Sequence, residues 1–286
     1  MKRLLITGAR GQLGSCLRDL LAERSDVETL FTDVAELDLT DADAVSRCVA
    51  ELKPQYIINC AAYTAVERAE ADEATAERVN ADAPANLARA AAENGARLIH
   101  ISTDYVFSGE NSRPWRESDE PSPRSAYGRT KLHGEQRVME LHPEGSVILR
   151  TAWLYSPYGS NFVKTMLRLA AERPEIRVVA DQIGSPTSAM TLARAVLTVV
   201  FSEQWHPGVY HLTDAGVASW YDLAVSTLRL SGLTTRVVPI TTQEYPTPTE
   251  RPAYSVLAKE KFINTYNFTL PHWQEALAEC LRAMND

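Results

Sequence analysis

Apolar runs of strand length alternate with longer amphipathic stretches through the first half of the chain. That alternation constrains the fold more than any other feature. "RLLIT" (3–7) reads as a buried strand, because parallel strands covered on both faces are almost continuously apolar. "QLGSCLRDLLAER" (12–24) carries Leu13, Leu17, Leu20 and Leu21 along one helical face. "VETLFT" (27–32) is a second strand, and "DADAVSRCVAEL" (41–52) a second helix with Thr40 as its N-cap. "QYIINCAA" (55–62) is a third strand, set off from the helix before it by Pro54. Residues 73–93 are Ala-rich and helical in character; Pro84 should break or kink them, and Asn94-Gly95 should stop them. "ARLIHIST" (96–103), a helix over 125–141 and "SVILRT" (146–151) complete the series. This order predicts an α/β fold, a doubly wound parallel sheet with right-handed crossovers.

After about residue 150 the rhythm changes. Pro and Gly become more frequent, and the apolar segments are shorter and farther apart: 176–181, 191–201, 208–213 and 219–232. "YPTPTERP" (245–252) reads as a proline-rich loop and 271–284 as a closing helix. Residues 1–150 are therefore expected to form a dinucleotide-binding domain, with later segments returning to its sheet. Residues 151–286 are expected to be mainly a smaller, substrate-binding α/β portion, with a cleft between the two.

Bulk properties narrow the function. A net charge of −8 without a long basic run argues against nucleic acid as a partner. No segment has the roughly 18 apolar residues that a membrane span needs. Cys16, Cys48, Cys60 and Cys280 are scattered, with no CxxC pair and no histidine at zinc spacing, which fits free thiols in a reducing compartment. The apolar run after Lys2 and Arg3 stops at Gly8, too soon for a secretory leader. A cytoplasmic protein is expected.

The chemistry concentrates at strand ends. Gly8, Gly11 and Gly14 in "ITGARGQLG" are spaced GxxGxxG across the first strand-to-helix turn. Small residues there permit a tight turn and close backbone approach, and the helix N-terminus favours the charge of a pyrophosphate. Asp33 follows the second strand, where an acid can accept the hydroxyls of an adenosine ribose; Asp38 lies near it. Arg10 points the other way, because it could pair with a 2′-phosphate. Ala61 and Ala62 after the third strand would let backbone approach a flat ring. Ser102, Thr103, Asp104 and Tyr105 stand at the carboxyl end of the fourth strand, where open α/β sheets bind ligands. Tyr127 and Lys131 are four residues apart and share one helical face.

Glycine turn, hydroxyl after strand four and YxxxK on the next helix, in that order, resemble the extended sugar-nucleotide branch of the short-chain dehydrogenase/reductase superfamily, with its Rossmann-type sheet. "STDYVFSG", "YGRTKLHGE", "LRTAWLY", "NFVKTMLRLA", "DQIGSPT" and "YPTPTERP" resemble the dTDP-4-dehydrorhamnose reductase family over nearly the whole chain. The resemblance implies reduction of the 4-keto group of dTDP-6-deoxy-L-lyxo-4-hexulose to dTDP-L-rhamnose, with NADPH or NADH as hydride donor. It implies Tyr127 as proton donor, with the Lys131 ammonium lowering its pKa and Lys131 also holding the nicotinamide ribose. Thr103 would polarise the carbonyl and Asp104 would contact the sugar. Trp153 would form an apolar wall, Thr64 and Val66 would make further sugar contacts, and Arg251 would meet the substrate's pyrophosphate.

The implied cofactor contacts are Gly8, Arg10, Gly11, Gln12 and Leu13 at the turn, Asp33, Asp38 and Leu39 after strand two, and Ala61, Ala62 and Tyr63 after strand three, with Tyr127 and Lys131 at the nicotinamide end. Some members of the family dimerise through Mg²⁺ held by acidic side chains. Here the corresponding positions are Cys16 and Met190, poor ligands for a hard cation, so a monomer or weak homodimer without a bound metal is expected. Two other readings of the same fold stay open: an NAD-dependent sugar-nucleotide epimerase or dehydratase, and a non-catalytic dinucleotide-binding regulatory subunit.

Overall fold

The computed structural model describes residues 1–284. The first half runs β1 (Lys2–Thr7), α1 (Gln12–Leu21), β2 (Val27–Thr32), α2 (Ala42–Leu52), β3 (Tyr56–Asn59), α3 (Val66–Ala71), α4 (Glu73–Glu77), α5 (Ala83–Asn94), β4 (Arg97–Thr103), α6 (Ala126–Leu141) and β5 (Ser146–Thr151). The second half adds β6 (Leu154–Tyr155), α7 (Phe162–Glu172), β7 (Glu175–Val179), β8 (Ile183–Gly184), β9 (Thr187–Ser188), α8 (Ala189–Phe201), β10 (Gly208–His211), β11 (Ala218–Ser219), α9 (Trp220–Leu230), β12 (Arg236–Ile240), α10 (Glu260–Tyr266) and α11 (Trp273–Arg282).

The main sheet has six strands in the order β2-β1-β3-β4-β5-β10, all parallel. The chain steps from β1 to β2 on one side and returns to β3 on the other. The carboxyl ends of β1 and β3 therefore flank the switch point, where open sheets of this kind leave a crevice. The expected doubly wound α/β sheet is present.

The strand sequences explain why both faces are covered. Leu4 and Ile6 of β1 point toward α1 and α8, where they pack with Leu13, Leu17, Leu192 and Val196. Leu5, between them, points to the opposite layer of α2, α5 and α6, among Val45, Val49, Leu87 and Val138. All three are fully buried, worth roughly 1.5–3 kcal/mol each. The segment 191–201 lies within α8, which packs beside α1, and β10 extends the sheet beyond β5, so the second half of the chain helps to build the main sheet. A smaller core forms away from the sheet, from Val163 of α7, Leu223 of α9 and Leu277 of α11.

Three local expectations change. Asp41, not Thr40, caps α2: its carboxylate accepts from Ala44 N at 2.9 Å, while the Thr40 hydroxyl donates to Asp38 at 2.7 Å. β3 ends at Asn59, and 60–62 lie beyond it, with Cys60 N still donating to Thr7 O at 3.2 Å. Pro84 does not break its helix. It has no N–H to offer the Asn80 carbonyl, and a wider π turn over Arg78–Asp82 absorbs the mismatch before α5. That turn also aims Asn80: its side chain accepts from Tyr63 N (2.8 Å) and donates to Tyr63 O (3.2 Å) and the Thr130 hydroxyl (3.1 Å). The segment after β3 is thereby tied to α6.

Candidate active site

Two adjoining cavities, of about 520 and 560 Å³, open at the carboxyl ends of the strands and share Gly11, Cys60 and Ala62. The first runs along the glycine turn. It is lined by Gly8, Arg10 and Gly11, by Asp33, Asp38 and Leu39 after β2, and by Ala61, Ala62 and Tyr63 after β3. A Cβ on Gly8, at φ +65°, would fall 2.6 Å from Ala61 N, and one on Gly14 2.5 Å from Gly8 O, so only glycine fits either position. Gly11 is the N-cap of α1 and offers no side-chain acceptor, and the first turn of α1 has no acidic residue. The helix N-terminus is left with its partial positive charge for a ligand anion.

The second cavity lies between the ends of β4 and β5 and the loops of the second half. Gln12, Leu13, Thr64, Val66, Thr103, Asp104, Tyr127, Lys131, Trp153 and Arg251 all line it. The two cavities together are lined by every cofactor and substrate contact that the resemblance implies, while Gly14 of the glycine turn lies outside both.

Helix α6 supplies Tyr127 and Lys131, and Ser125 caps it by accepting from Gly128 N at 3.1 Å. The Lys131 ammonium is buried; it donates to Ile101 O at 2.7 Å and lies 3.5 Å from His100 Nε2. His100 in turn accepts from the Asn59 amide at 3.1 Å, and Asn59 Oδ1 takes the Ala61 N–H (3.1 Å) and the Thr7 hydroxyl (2.8 Å). Burial brings Lys131 down to about 8 against the pull of Glu135, and burial beside Lys131 keeps His100 neutral. Burial pushes Tyr127 up to about 12; the Thr103 hydroxyl lowers it and the Asp104 charge raises it. Lys131 is not among the groups that shift Tyr127 in this arrangement, where its ammonium donates to Ile101 O.

Thr103 donates to Asp104 Oδ1 at 2.9 Å and accepts from Tyr105 N at 3.2 Å. Burial raises Asp104 to about 6. Four polar atoms on this cavity's lining residues have no protein partner: Ser102 Oγ, Thr151 Oγ1, Asp104 Oδ2 and Arg251 Nε. Buried polar atoms are nearly always paired, so these four leave donors and acceptors free for a polar ligand.

Trp153 carries a left-handed backbone, φ +50°, uncommon and strained for a bulky side chain. Its ring stacks on Trp220 at 3.6 Å, and Gly184 makes room, since a Cβ there would come within 2.6 Å of the indole. Arg251 pairs with Glu67 at 2.8 Å, and the same carboxylate accepts from Thr249 N at 3.1 Å, which ties the proline-rich loop to α3.

The family model described as the RmlD substrate binding domain matches residues 1–285. The chain belongs to that family. A dTDP-4-dehydrorhamnose reductase of Aggregatibacter actinomycetemcomitans is 42% identical, over 97% of each chain. The crystal structure of a Clostridium acetobutylicum dTDP-4-dehydrorhamnose reductase superposes with a TM-score of 0.95 at 45% identity, covering 99% of this chain and 100% of that one. The Bacillus anthracis dTDP-4-dehydrorhamnose reductase, solved in complex with NADP, gives 0.93 at 40% identity, with the same coverage.

Several residues of this RmlD-family site escaped the sequence reading. Trp220 and Phe162 complete the aromatic wall with Trp153. Ser156 and Asn161 each donate to Gln12 Oε1 at 3.0 Å, fastening the start of α1 to the wall of the second cavity. His100 sits in a run that reads simply as strand. Only its place three residues before the end of β4, on the side of α6, could have singled it out. Cys16 and Met190 pack into the core between α1 and α8, and burial pushes the Cys16 thiol up to about 12. Among the described residues no helix is long and apolar enough to cross a membrane, and no group of three His, Cys, Asp or Glu side chains could hold a metal.

Proposed function

We propose that the protein reduces the 4-keto group of dTDP-6-deoxy-L-lyxo-4-hexulose to dTDP-L-rhamnose with a nicotinamide dinucleotide. The observation that carries the reading is the convergence of Tyr127, Lys131 and Thr103 in a cavity that opens directly onto the glycine turn. The relatives named above, similar over nearly the full length, support the substrate assignment.

The residues present fit the dinucleotide. The uncapped N-terminus of α1 would take its pyrophosphate, Asp33 its adenosine ribose, and Lys131 the ribose next to the nicotinamide. When bound, the dinucleotide supplies the hydride for C4. The protein then manages one proton. Tyr127 delivers it to the carbonyl oxygen as that oxygen becomes an alkoxide, and the Lys131 ammonium stabilises the phenolate left behind. Thr103 polarises the same oxygen by turning its hydroxyl from Asp104 to the substrate. Asp104 Oδ2 accepts a sugar hydroxyl, Trp153 walls the deoxy methyl, and Arg251 Nε meets the diphosphate.

The direct test is NADH or NADPH oxidation at 340 nm with the dTDP-4-keto sugar. Turnover is expected. No turnover with either cofactor, together with a dinucleotide that stays bound through purification, would point to an epimerase or dehydratase instead.

The pH profile follows from Lys131. Below about 8 it is an ammonium and the phenolate is stabilised; above that it loses the charge. Tyr127 stays protonated throughout, with its pKa up at about 12. The expected kcat/KM, which reports the free enzyme, is level at neutral pH and declines as pH rises through about 8. A profile level to pH 10 would remove Lys131 from this role.

A further inference from the structure

The sequence sets Arg10 and Asp33 against each other: one suits a 2′-phosphate, the other a free ribose hydroxyl. The structure brings in a third residue, Glu36, which the sequence reading passed over. The Arg10 guanidinium forms an ion pair with Glu36 Oε1. Glu36 Oε2 accepts the Asp33 N–H at 2.9 Å. Asp33 closes the circuit, since its Oδ2 accepts the Arg10 N–H at 3.0 Å and its Oδ1 the Val34 N–H at 2.9 Å. Two backbone and side-chain bonds therefore lock the glycine turn to the end of β2, and the one guanidinium lining this cavity is spent on a carboxylate.

An ion pair as exposed as this one is weak by itself. What holds it is the second bond of Glu36 to the backbone of Asp33, which fixes the carboxylate before Arg10 arrives. Asp38 faces the same cavity, and hydrogen bonds from the Thr40 hydroxyl and N–H, and next the charge of Arg78, hold it below the usual carboxylate range, so it is ionised. Three carboxylates, Asp33, Glu36 and Asp38, stand against Arg10, which lines the cavity, and Arg78, which acts on Asp38. In a sheet of this kind the adenosine ribose lies at the end of β2. A 2′-phosphate there would have to draw Arg10 away from Glu36 and leave that carboxylate beside it without its partner, whereas a free hydroxyl pair needs only acceptors.

We propose that Glu36 is a specificity-determining residue: by sequestering Arg10 it makes this protein prefer NADH to NADPH. The assignment rests on the reductase reading of the site and adds to it which dinucleotide is used. It differs from what the NADP complex of the Bacillus anthracis relative would suggest by simple transfer.

The test is a binding titration, independent of turnover, following the nicotinamide fluorescence of NADH and of NADPH with the purified protein. Wild type is expected to bind NADH tighter than NADPH by about tenfold or more, the scale of an unfavourable like-charge contact. Glu36→Gln keeps the acceptor for Asp33 N–H but frees Arg10. In it the ratio is expected to shift toward NADPH by about tenfold, chiefly through tighter NADPH binding. Adding Arg10→Ala to that variant should cancel the shift. Wild-type affinity for NADPH equal to or above that for NADH, or a ratio unmoved by Glu36→Gln, overturns the assignment and leaves the reductase reading standing. Binding of neither dinucleotide overturns both.

Discussion

Tyr127→Phe is expected to lower kcat by about 10²–10⁴-fold, the range that a positioned general acid contributes. The structure explains why the loss should fall on the chemical step alone. Phe keeps the ring, which meets Tyr105 edge-on at 5.4 Å and packs by the small side chains of Ala69, Ala76 and Ala126. Nothing in that packing requires the hydroxyl, so the fold and dinucleotide binding should be retained. The hydroxyl stands beside Thr103, and the two face the same cavity. The measurement is kcat from NADH or NADPH oxidation, with dinucleotide Kd by fluorescence as the control. Turnover within threefold of wild type would keep the reductase activity but move the proton donor elsewhere.

How much of this was legible in the sequence depends on how far apart the partners lie along the chain. The glycine turn, the hydroxyl after β4 and the Tyr127/Lys131 pair are each local patterns, fixed by helix or strand period. The sheet was legible for the same reason: each buried strand announces itself by its own apolar run. Contacts made across the fold left no such trace. Asn161 and Gln12 are 149 residues apart, and neither belongs to a periodic pattern. Trp220 falls in the apolar segment 219–232 without distinction; its role appears only when the left-handed turn at Trp153 lays one indole on the other. Glu36 carries no signal of its own in the sequence; it gains one when β1 and β2 pair and bring Arg10 across to it. The π turn was hidden as well. Pro84 signals trouble in a helix, but whether the chain breaks or widens depends on Asn80 having Tyr63 and Thr130 to hold.

Beneath the proposed active site lies a buried ion pair, and its disruption is the largest stability effect expected. Arg150 of β5 donates to Glu135 of α6 at 2.6 Å, and each side chain is only 4% exposed. Glu135 stands one helical turn beyond Lys131, so the pair sets the distance between the catalytic helix and the sheet. His211 Nδ1 faces the Trp115 carbonyl at 3.1 Å, and its Nε2 lies 3.5 Å from Arg150 Nη1. Burial, and next the Arg150 charge, hold His211 down to about 3, so it is neutral and accepts from the guanidinium. Phe107 covers the guanidinium at 5.1 Å. Arg150→Met removes the cation from this assembly and leaves the Glu135 carboxylate buried without its partner. The expected cost is about 3–5 kcal/mol, which for a chain of this size lowers Tm by roughly 10 °C. Converting both partners, Glu135→Leu with Arg150→Met, removes the stranded charge as well as the pair. It should recover most of the loss, because an apolar replacement of a buried pair is often neutral. Thermal unfolding followed by circular dichroism reads both variants. A single variant that melts within about 2 °C of wild type would mean that water reaches Glu135 once Arg150 is gone. Recovery of Tm in the double variant without recovery of kcat would separate two tasks of the pair: holding α6 on the sheet, and holding Tyr127 and Lys131 at their working distance from Thr103.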